Sequence, residues 1–318
     1  MAFNSLTDRD DAASLIPEDA ASAIMLDLVD NFWLFDLARR LPNLSRAQRR
    51  IPVASALATA AFVNGDTGLK ETTELSWEDK YIDAEEVAAI IPIPQAVLDD
   101  ADYDIFGEAR PALVEAFSKV ITGAVLYGTN IPTSWTTNLG AAGLVAFATA
   151  AGSVESMTGP ADFYEAVEGE SAAGSADGVL ALLEADGFNA SAHVGHQSVR
   201  TLMRNCRDSN GNPIYREDTI IRGVPVHYPL DGSIDPDEAL LIAGQWSQLV
   251  FAIRQDITFT VHRDGVIQDA AGNIIYNLLQ QDMAALRAVM RLGFALPNPI
   301  NQMQETEASR SPFAVLTA

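Results

Sequence analysis

Residues able to do chemistry are thinly spread in this chain of 318 residues. His193 and His196 stand at i and i+3, a spacing two metal ligands can use. No further Cys or His lies nearby to complete a set, and Gly195 between them argues for a turn, so they read as ordinary core or surface histidines. Asp208, Asn210, Gly211 and Asn212 echo a calcium loop without its glycine placement or distal glutamate, and read as a turn. Carboxylates crowd residues 66–104 (Glu71, Glu74, Glu78, Asp79, Asp83, Glu85, Glu86). Acid–base work is the functional reading of such a run, and a solvated or interface charge run is the default one. Cys206 stands alone, so no intrachain disulfide forms, and no Ser or Cys nucleophile has a base that the sequence identifies. The sequence contains no Walker loop, G-x-G-x-x-G, G-x-S-x-G or H-E-x-x-H. The expectation is no catalytic residue, no cofactor and no metal.

The composition points the same way. Charged residues make up 20% and hydrophobic residues 48%, which is a folded chain. Net charge is -23, and lysine occurs only at Lys70, Lys80 and Lys119. Nucleic-acid binders need a basic footprint to neutralise phosphates, so specific DNA binding is not expected. Mean hydropathy is +0.08, high enough that part of the apolar surface suits burial against other subunits. The acidic start, MAFNSLTDRDD, is unlike a secretory signal. The run Leu139 to Gly152 is too short to span a bilayer. Cytosolic assembly without a membrane is expected.

The elements follow from periodicity. Residues 1–50 split by charge: acids from Asp8 to Asp36, then Arg39, Arg40, Arg46, Arg49 and Arg50 with no acid among them. Ile24, Leu28, Phe32 and Phe35 recur near helical spacing behind a Pro17-Glu18-Asp19 opening. Residues 51–65 read as one or two strands closed by an Asn64-Gly65 turn. The stretch that follows is an extended excursion with strand-favouring Thr72, Thr73, Leu75, Trp77, Tyr81 and Ile82 and little core of its own. It predicts a hairpin that needs a partner surface. Residues 104–127 are the clearest element. Leu113, Val114, Phe117, Val120, Ile121, Ala124 and Val125 make one helical stripe, with Pro111 near the start and Gly128 and Pro132 at the end. Three short helices and a buried strand (NASAHV) are expected over 158–205. Strands follow at PIY, around Gly223, at EALLIAGQ and at QLVFAIRQDITFTVH. Residues 278–293 mix helix and strand signals, and a tail closes the chain. Helices and strands interleave without a repeating βαβ unit, so the fold class is α+β.

The order of these fragments resembles the major capsid proteins of tailed bacteriophages with the Hong Kong 97 fold. SLIPEDAASAIMLDLVDNFWLFDLARRLPN is similar to the family's N-terminal arm. RRIPVASALATAAFVNGDTG leads into its extended loop. LSWEDKYIDAEEVAAIIPIPQAVLDDADYDIFGEARPALVEAFSKVITGAVLYGTN resembles that loop and the long spine helix. ALLIAGQWSQLVFAIRQDITFTVHRDG and DMAALRAVMRLGFALPNPINQM resemble the later strands. The resemblance implies an N-terminal arm at 1–50 and an extended β-hairpin loop at 66–92. It implies a peripheral domain from 51–65, 93–157 and 254–303 around a spine helix at about 104–128, an axial domain at 158–253, and a C-terminal tail at 304–318.

It also implies a structural subunit that self-assembles into pentamers and hexamers, closing an icosahedral capsid around double-stranded DNA without binding it specifically. The protein would be made in the host bacterial cytoplasm and end in the virion. Many relatives begin with a cleaved scaffolding segment. Here the arm follows Met1 almost at once, which implies a separate scaffolding protein or none, with a portal and decoration proteins as further partners. Some relatives crosslink a loop lysine to a neighbour's asparagine; Lys70 and Lys80 lie in that region, and no asparagine or catalytic glutamate is identified. The alternatives are an encapsulin-type nanocompartment shell or a cytosolic α+β enzyme. The expected assembly interface is Arg39, Arg40, Arg46, Arg49 and Arg50 on the arm with Glu71, Glu74, Trp77, Glu78 and Lys80 on the loop, some of the arginines contacting acidic loop or spine residues of an adjacent subunit. Trp33, Phe35 and Trp77 are expected to be buried by neighbours.

Overall fold

The computed structural model describes residues 32–63, 70, 72–101, 104–158, 163–169 and 178–318. The arm before residue 32, the Asn64-Gly65 turn and Glu71 lie outside them. The chain order is α1 (Trp33–Leu37), β1 (Arg39–Arg40), β2 (Gln48–Ala56), β3 (Ser76–Asp83), β4 (Glu85–Pro94), α2 (Gln95–Asp100), α3 (Ile105–Tyr127), α4 (Thr133–Leu139), α5 (Leu144–Ala151), β5 (Val154–Ser156), α6 (Phe163–Glu168), α7 (Val179–Ala185), β6 (Ala192–Gly195), α8 (Gln197–Asn205), β7 (Ile220–Ile221), β8 (Val224–His227), β9 (Leu241–Gly244), β10 (Val250–His262), β11 (Val266–Gln268), β12 (Ile274–Asn277), β13 (Met283–Ala295) and β14 (Phe313–Thr317). This is the α+β mixture that the pattern predicts.

Contacts divide the described chain into two units. One contains Glu86–Ser118 and Gln255–Leu292; the other contains Phe32–Glu85, Lys119–Arg254 and Gly293–Ala318.

In the first unit, β10, β13 and β4 lie side by side in that order, and β11 and β12 form a small antiparallel hairpin. Ile93 and Val97 anchor a cluster with Leu98, Ile105 and Phe106. Tyr276, Leu278, Met283 and Ala285 form another. Of residues 278–293, ambiguous in sequence, 278–282 form a turn and the rest belong to strand β13. Its Ala, Leu and Met favour helix, but the strand is buried along nearly its whole length, and packing overrides propensity there.

Helix α3 runs 23 residues, about 34 Å at 1.5 Å per residue. Leu113, Phe117, Ile121, Ala124 and Val125 are buried as expected, but Val120 is 53% exposed. The covered arc turns instead toward Ser118 and Thr122, each 1% exposed. A helical Ser or Thr hydroxyl can bond back to the preceding turn and so tolerates burial. Gly128 ends the helix at φ 69, a conformation glycine adopts without cost.

The second unit is built on a six-stranded sheet, β5-β14-β9-β6-β8-β7. His193 pairs with Val226 and Ala243 in register, and Ala243 pairs with Ala314. These side chains therefore share a face. That face meets α6, α7 and α8 in a cluster including Phe163, Val179, Leu183, Val199, Met203 and Leu316. Two sequence expectations are corrected here. Residues 304–318, expected as a tail, contain β14, which lies between β5 and β9 with Phe313–Leu316 fully buried. A strand covered on both faces shows no alternation, so FAVLT carries no period to read. The expected strand PIY is only an isolated bridge between Arg207 and Pro213, since proline brings no N–H to a ladder.

Candidate assembly interface

Strands β2 and β3 pair antiparallel from Gln48↔Asp83 to Ala54↔Trp77, with a register shift between Ala54 and Ala56. The two arms of the hairpin are therefore 48–56 and 76–83. The sequence reading divided this segment differently, placing the loop at 66–92 and giving 51–65 to the globular part. Within the hairpin strands, only Val53 and Ile82 are buried. Ile82 joins Leu44, Val250, Ala252 and Ala295 at the base. Further out, Phe62 (105% exposed), Leu75, Trp77 (65%) and Tyr81 stand in solvent.

The base is clamped by specific bonds. Asp83 accepts Trp135 Nε1–H at its carbonyl (3.1 Å) and Asn138 Nδ2–H at Oδ2 (3.1 Å). Ala84 N donates to Ala47 O at 2.8 Å, and Ser134 Oγ donates to Glu85 at 2.6 Å. Gly293 of β13 runs so close that a Cβ there would overlap the Asp83 carbonyl. One edge of the hairpin is thus rigidly rooted while its outer part carries apolar side chains with no cover among the described residues.

The expected interface residues take several places. Arg39 and Arg40 form β1, exposed, in parallel register with Val250 and Phe251 of β10. Arg40 Nη2 donates to Asn43 Oδ1 at 3.2 Å. Arg46 is exposed. Arg49 is used locally: Nη1 donates to Pro42 O at 2.6 Å and Nη2 to Asn43 O at 3.2 Å. Arg50 reaches an acid of the loop within its own chain, Asp79 at 3.2 Å. Glu74 is exposed just before β3, beside the exposed Trp77, and Glu71 lies outside the described residues. Lys80 bridges Glu78 at 3.3 Å and Glu307 at 2.8 Å.

The expectation for two aromatics is corrected. Trp33 is 6% exposed and meets Trp246 edge-on at 6.0 Å, and Phe35 stacks on Phe251 at 4.7 Å. The chain buries Trp33 and half-buries Phe35 itself because α1 enters directly beside β10. Glu307 and Phe62 were missed, and Asp79, named only within the carboxylate run, pairs with Arg50 inside the chain. Phe62 alone had a signal, a large aromatic in a small-residue run next to Asn64-Gly65.

The remaining candidates take places in the fold itself. His193 is fully buried in the sheet, with neither ring nitrogen hydrogen-bonded. His196 caps α8, its Nδ1 accepting Ser198 N–H at 3.2 Å. Asp208 folds its own turn, accepting the backbone N–H of Asn210 and Asn212. Those bonds hold its carboxyl below the usual range, the Asn212 side chain contributing most. Among the described residues, no group of three His, Cys, Asp or Glu is placed to hold a metal ion, and no helix is long and apolar enough to cross a membrane.

Comparison with known proteins agrees with this arrangement. The model of the phage capsid family matches residues 12–301. The major capsid protein of Staphylococcus phage 80alpha is 25% identical over 238 residues, 73% of this chain and 67% of that protein. A solved structure from Microbacterium phage Oxtober96 superposes with a TM-score of 0.80 at 28% identity, covering 98% of this chain and 99% of that one. One from Mycobacterium phage Adephagia gives 0.79 at 26%, covering 98% and 97%. The chain belongs to the phage capsid family. It has the Hong Kong 97-like fold, and it is a structural shell subunit, a phage major capsid protein.

Proposed function

We propose that this subunit assembles with copies of itself into pentamers and hexamers that close an icosahedral shell around double-stranded DNA. The hairpin is the carrying observation. It is a rooted pair of strands whose outer surface exposes Phe62, Leu75, Trp77 and Tyr81 in the single chain, and an isolated strand pair is only marginally stable without a partner surface. In this reading β2–β3 is the extended loop, α3 the spine helix, and the six-stranded sheet with α6–α8 the axial domain. The exposed Arg39, Arg40 and Arg46 then face acids of a neighbour such as Glu74. A net charge of -23 suits an inner wall that does not hold packaged DNA. Scaffolding, portal and decoration proteins are the company such a shell would keep, and the host cytoplasm the place of assembly.

Electron microscopy and light scattering on the expressed chain, alone and with co-expressed phage proteins, test this. Closed shells of uniform size are expected. Monomers under every condition would overturn the reading.

A further inference from the structure

At the β7 edge of the six-stranded sheet, the segment 214–222 borders a cleft of about 420 Å³ lined by Tyr164, Glu168, Ile214, Tyr215, Ile220 and Arg222. Tyr164, Ile214, Tyr215 and Ile220 form its apolar side, with Ile220 42% exposed, and Arg216 and Glu217 join Glu168 and Arg222 on its polar side. Its one buried acid is already satisfied, since Glu168 pairs with Arg222 and accepts Tyr215 O–H at 3.2 Å. Beside it, a second cleft is lined by Arg204, Arg216 and Glu217 with Asp218; Asp218 holds Arg200 and Arg204 at 3.6 and 3.5 Å. Among the described lining residues Arg204, Arg216 and Arg222 equal Glu168, Glu217 and Asp218 in number, but Arg204 and Arg222 expose 64% of their side chains while the acids they pair with, Asp218 and Glu168, expose 31% and 8%, so the outward charge of the rim is mainly basic.

The opposite chemistry sits at the other end of β8. Beyond His227 the chain enters the loop 229–238, Pro-Leu-Asp-Gly-Ser-Ile-Asp-Pro-Asp-Glu, which contains no base. Leu230 is 61% exposed, and Asp235, Asp237 and Glu238 are exposed. The loop is held in place: Asp235 N donates to Tyr127 Oη and Ser233 N to Asp231 Oδ1, both at 3.0 Å. The four residues of β8 separate cleft from loop by about 13 Å. An apolar knob with an acidic skirt and a cleft with one apolar side and exposed arginines on its rim, at two ends of one strand, cannot meet within that chain. They can meet head to tail between copies, and such heterologous contacts close into rings.

We propose that the loop 229–238 of one subunit seats Leu230 in the Tyr164–Ile220 cleft of the next copy, with Asp237 and Glu238 facing Arg204 and Arg216. The inference rests on the shell reading and names one contact within its rings. Complementary charge of this kind sets partner and register more than affinity.

Paired cysteines test it. The one native cysteine, Cys206, is buried. Particles carrying both Ile220→Cys and Leu230→Cys, oxidised and then denatured, should run as a ladder of linked subunits, while either single variant gives none. Monomer bands alone from assembled double-variant particles would overturn this contact and leave the shell reading standing. Wild-type chain that never assembles would instead overturn the shell reading. Should the double variant fail to assemble, the charge pair decides. Arg216→Glu should lower particle yield about tenfold with an unchanged melting temperature, and adding Asp237→Arg should restore it. Unchanged yield from Arg216→Glu would overturn the contact.

Discussion

Lys80 Nζ on strand β3 lies 2.8 Å from Glu307 Oε1, a residue 227 positions later in the chain. This pair ties the exposed hairpin to the segment that precedes β14. Ile300 N, donating to Ala54 O at 3.4 Å, adds a second tie on the other strand. Burial alone would lower the Lys80 ammonium, but Glu307 and then Glu78 outweigh it and hold the group above its usual 10.5. A raised lysine stabilises the fold fully below its unfolded pKa and loses that contribution as pH rises through the folded value. The tie therefore persists at neutral pH and weakens only above about pH 10.5.

Replacing Lys80 with Ala should leave the subunit folded, at a cost below about 1 kcal/mol, since Glu307 is half exposed. Amides of Gln48–Ala56 and Ser76–Asp83 should exchange faster with deuterium. Unchanged exchange in the hairpin would show that the tie does not orient it.

Trp77 is 65% exposed, so Trp77→Ala should change the stability of the free subunit by no more than about 0.5 kcal/mol. Under the assembly reading the same change should strongly reduce particle yield. Thermal unfolding and sedimentation of particles measure the two effects separately. A large loss of subunit stability would place Trp77 in the subunit's own core.

Gly293→Ala should destabilise the subunit by about 1–3 kcal/mol, the usual cost of overpacking. A methyl there collides with the Asp83 carbonyl and meets Ile82 Cγ1 at 3.0 Å. Both lie at the root of the hairpin, so this variant should also loosen β3. Calorimetry reads the first effect and amide exchange the second.

His193 should make the subunit acid-sensitive. Burial pushes its imidazole from 6.5 down to about 4, and its same-face neighbours in register, Val226 and Ala243, offer no charge. The neutral ring is favoured in the fold, so stability is complete above pH 6.5. It falls as pH drops toward 4, where the unfolded chain takes up a proton and the folded chain resists it. The loss amounts to about 3 kcal/mol. His193→Leu should flatten the pH dependence of the melting temperature between pH 6.5 and 4. An unchanged slope would assign the acid response to other groups.

Arg310 is buried and donates to Asn298 Oδ1, Asn298 O, Gln304 O and Glu305 O at 2.9–3.2 Å. It organises the whole turn from 298 to 310. Arg310→Lys keeps the charge but loses the planar fork, and should cost about 2–4 kcal/mol in thermal unfolding.

Local pattern revealed much of this fold. The stripe from Leu113 to Val125 announced α3, and the turn around Gly223 announced β7 and β8. The hairpin was legible as an excursion, but its register was not. One face of each strand is only half covered, and it carries Arg49 and Lys80 beside Ile51, Val53 and Ile82, so no clean hydrophobic alternation fixes which residues pair. FAVLT was lost to the tail for the opposite reason, burial on both faces. At the candidate interface, the charge blocks were visible and their local uses were not. Arg49 spends its donors on the carbonyls of Pro42 and Asn43, and Arg50 finds Asp79 across the hairpin. Sequence separation gives no hint that Lys80 meets Glu307.

Strand β14 sets the timetable for making a subunit. Its neighbours, β5 and β9, are synthesised long before it, yet the gap between them stays open until residues 313–317 leave the ribosome. Because a domain of this kind folds as a unit, and contacts this distant in sequence form late, a chain interrupted before Phe313 cannot complete its sheet. Translation thereby acts as a checkpoint: only subunits read through to that strand can join a lattice in which one defective copy would leave a hole.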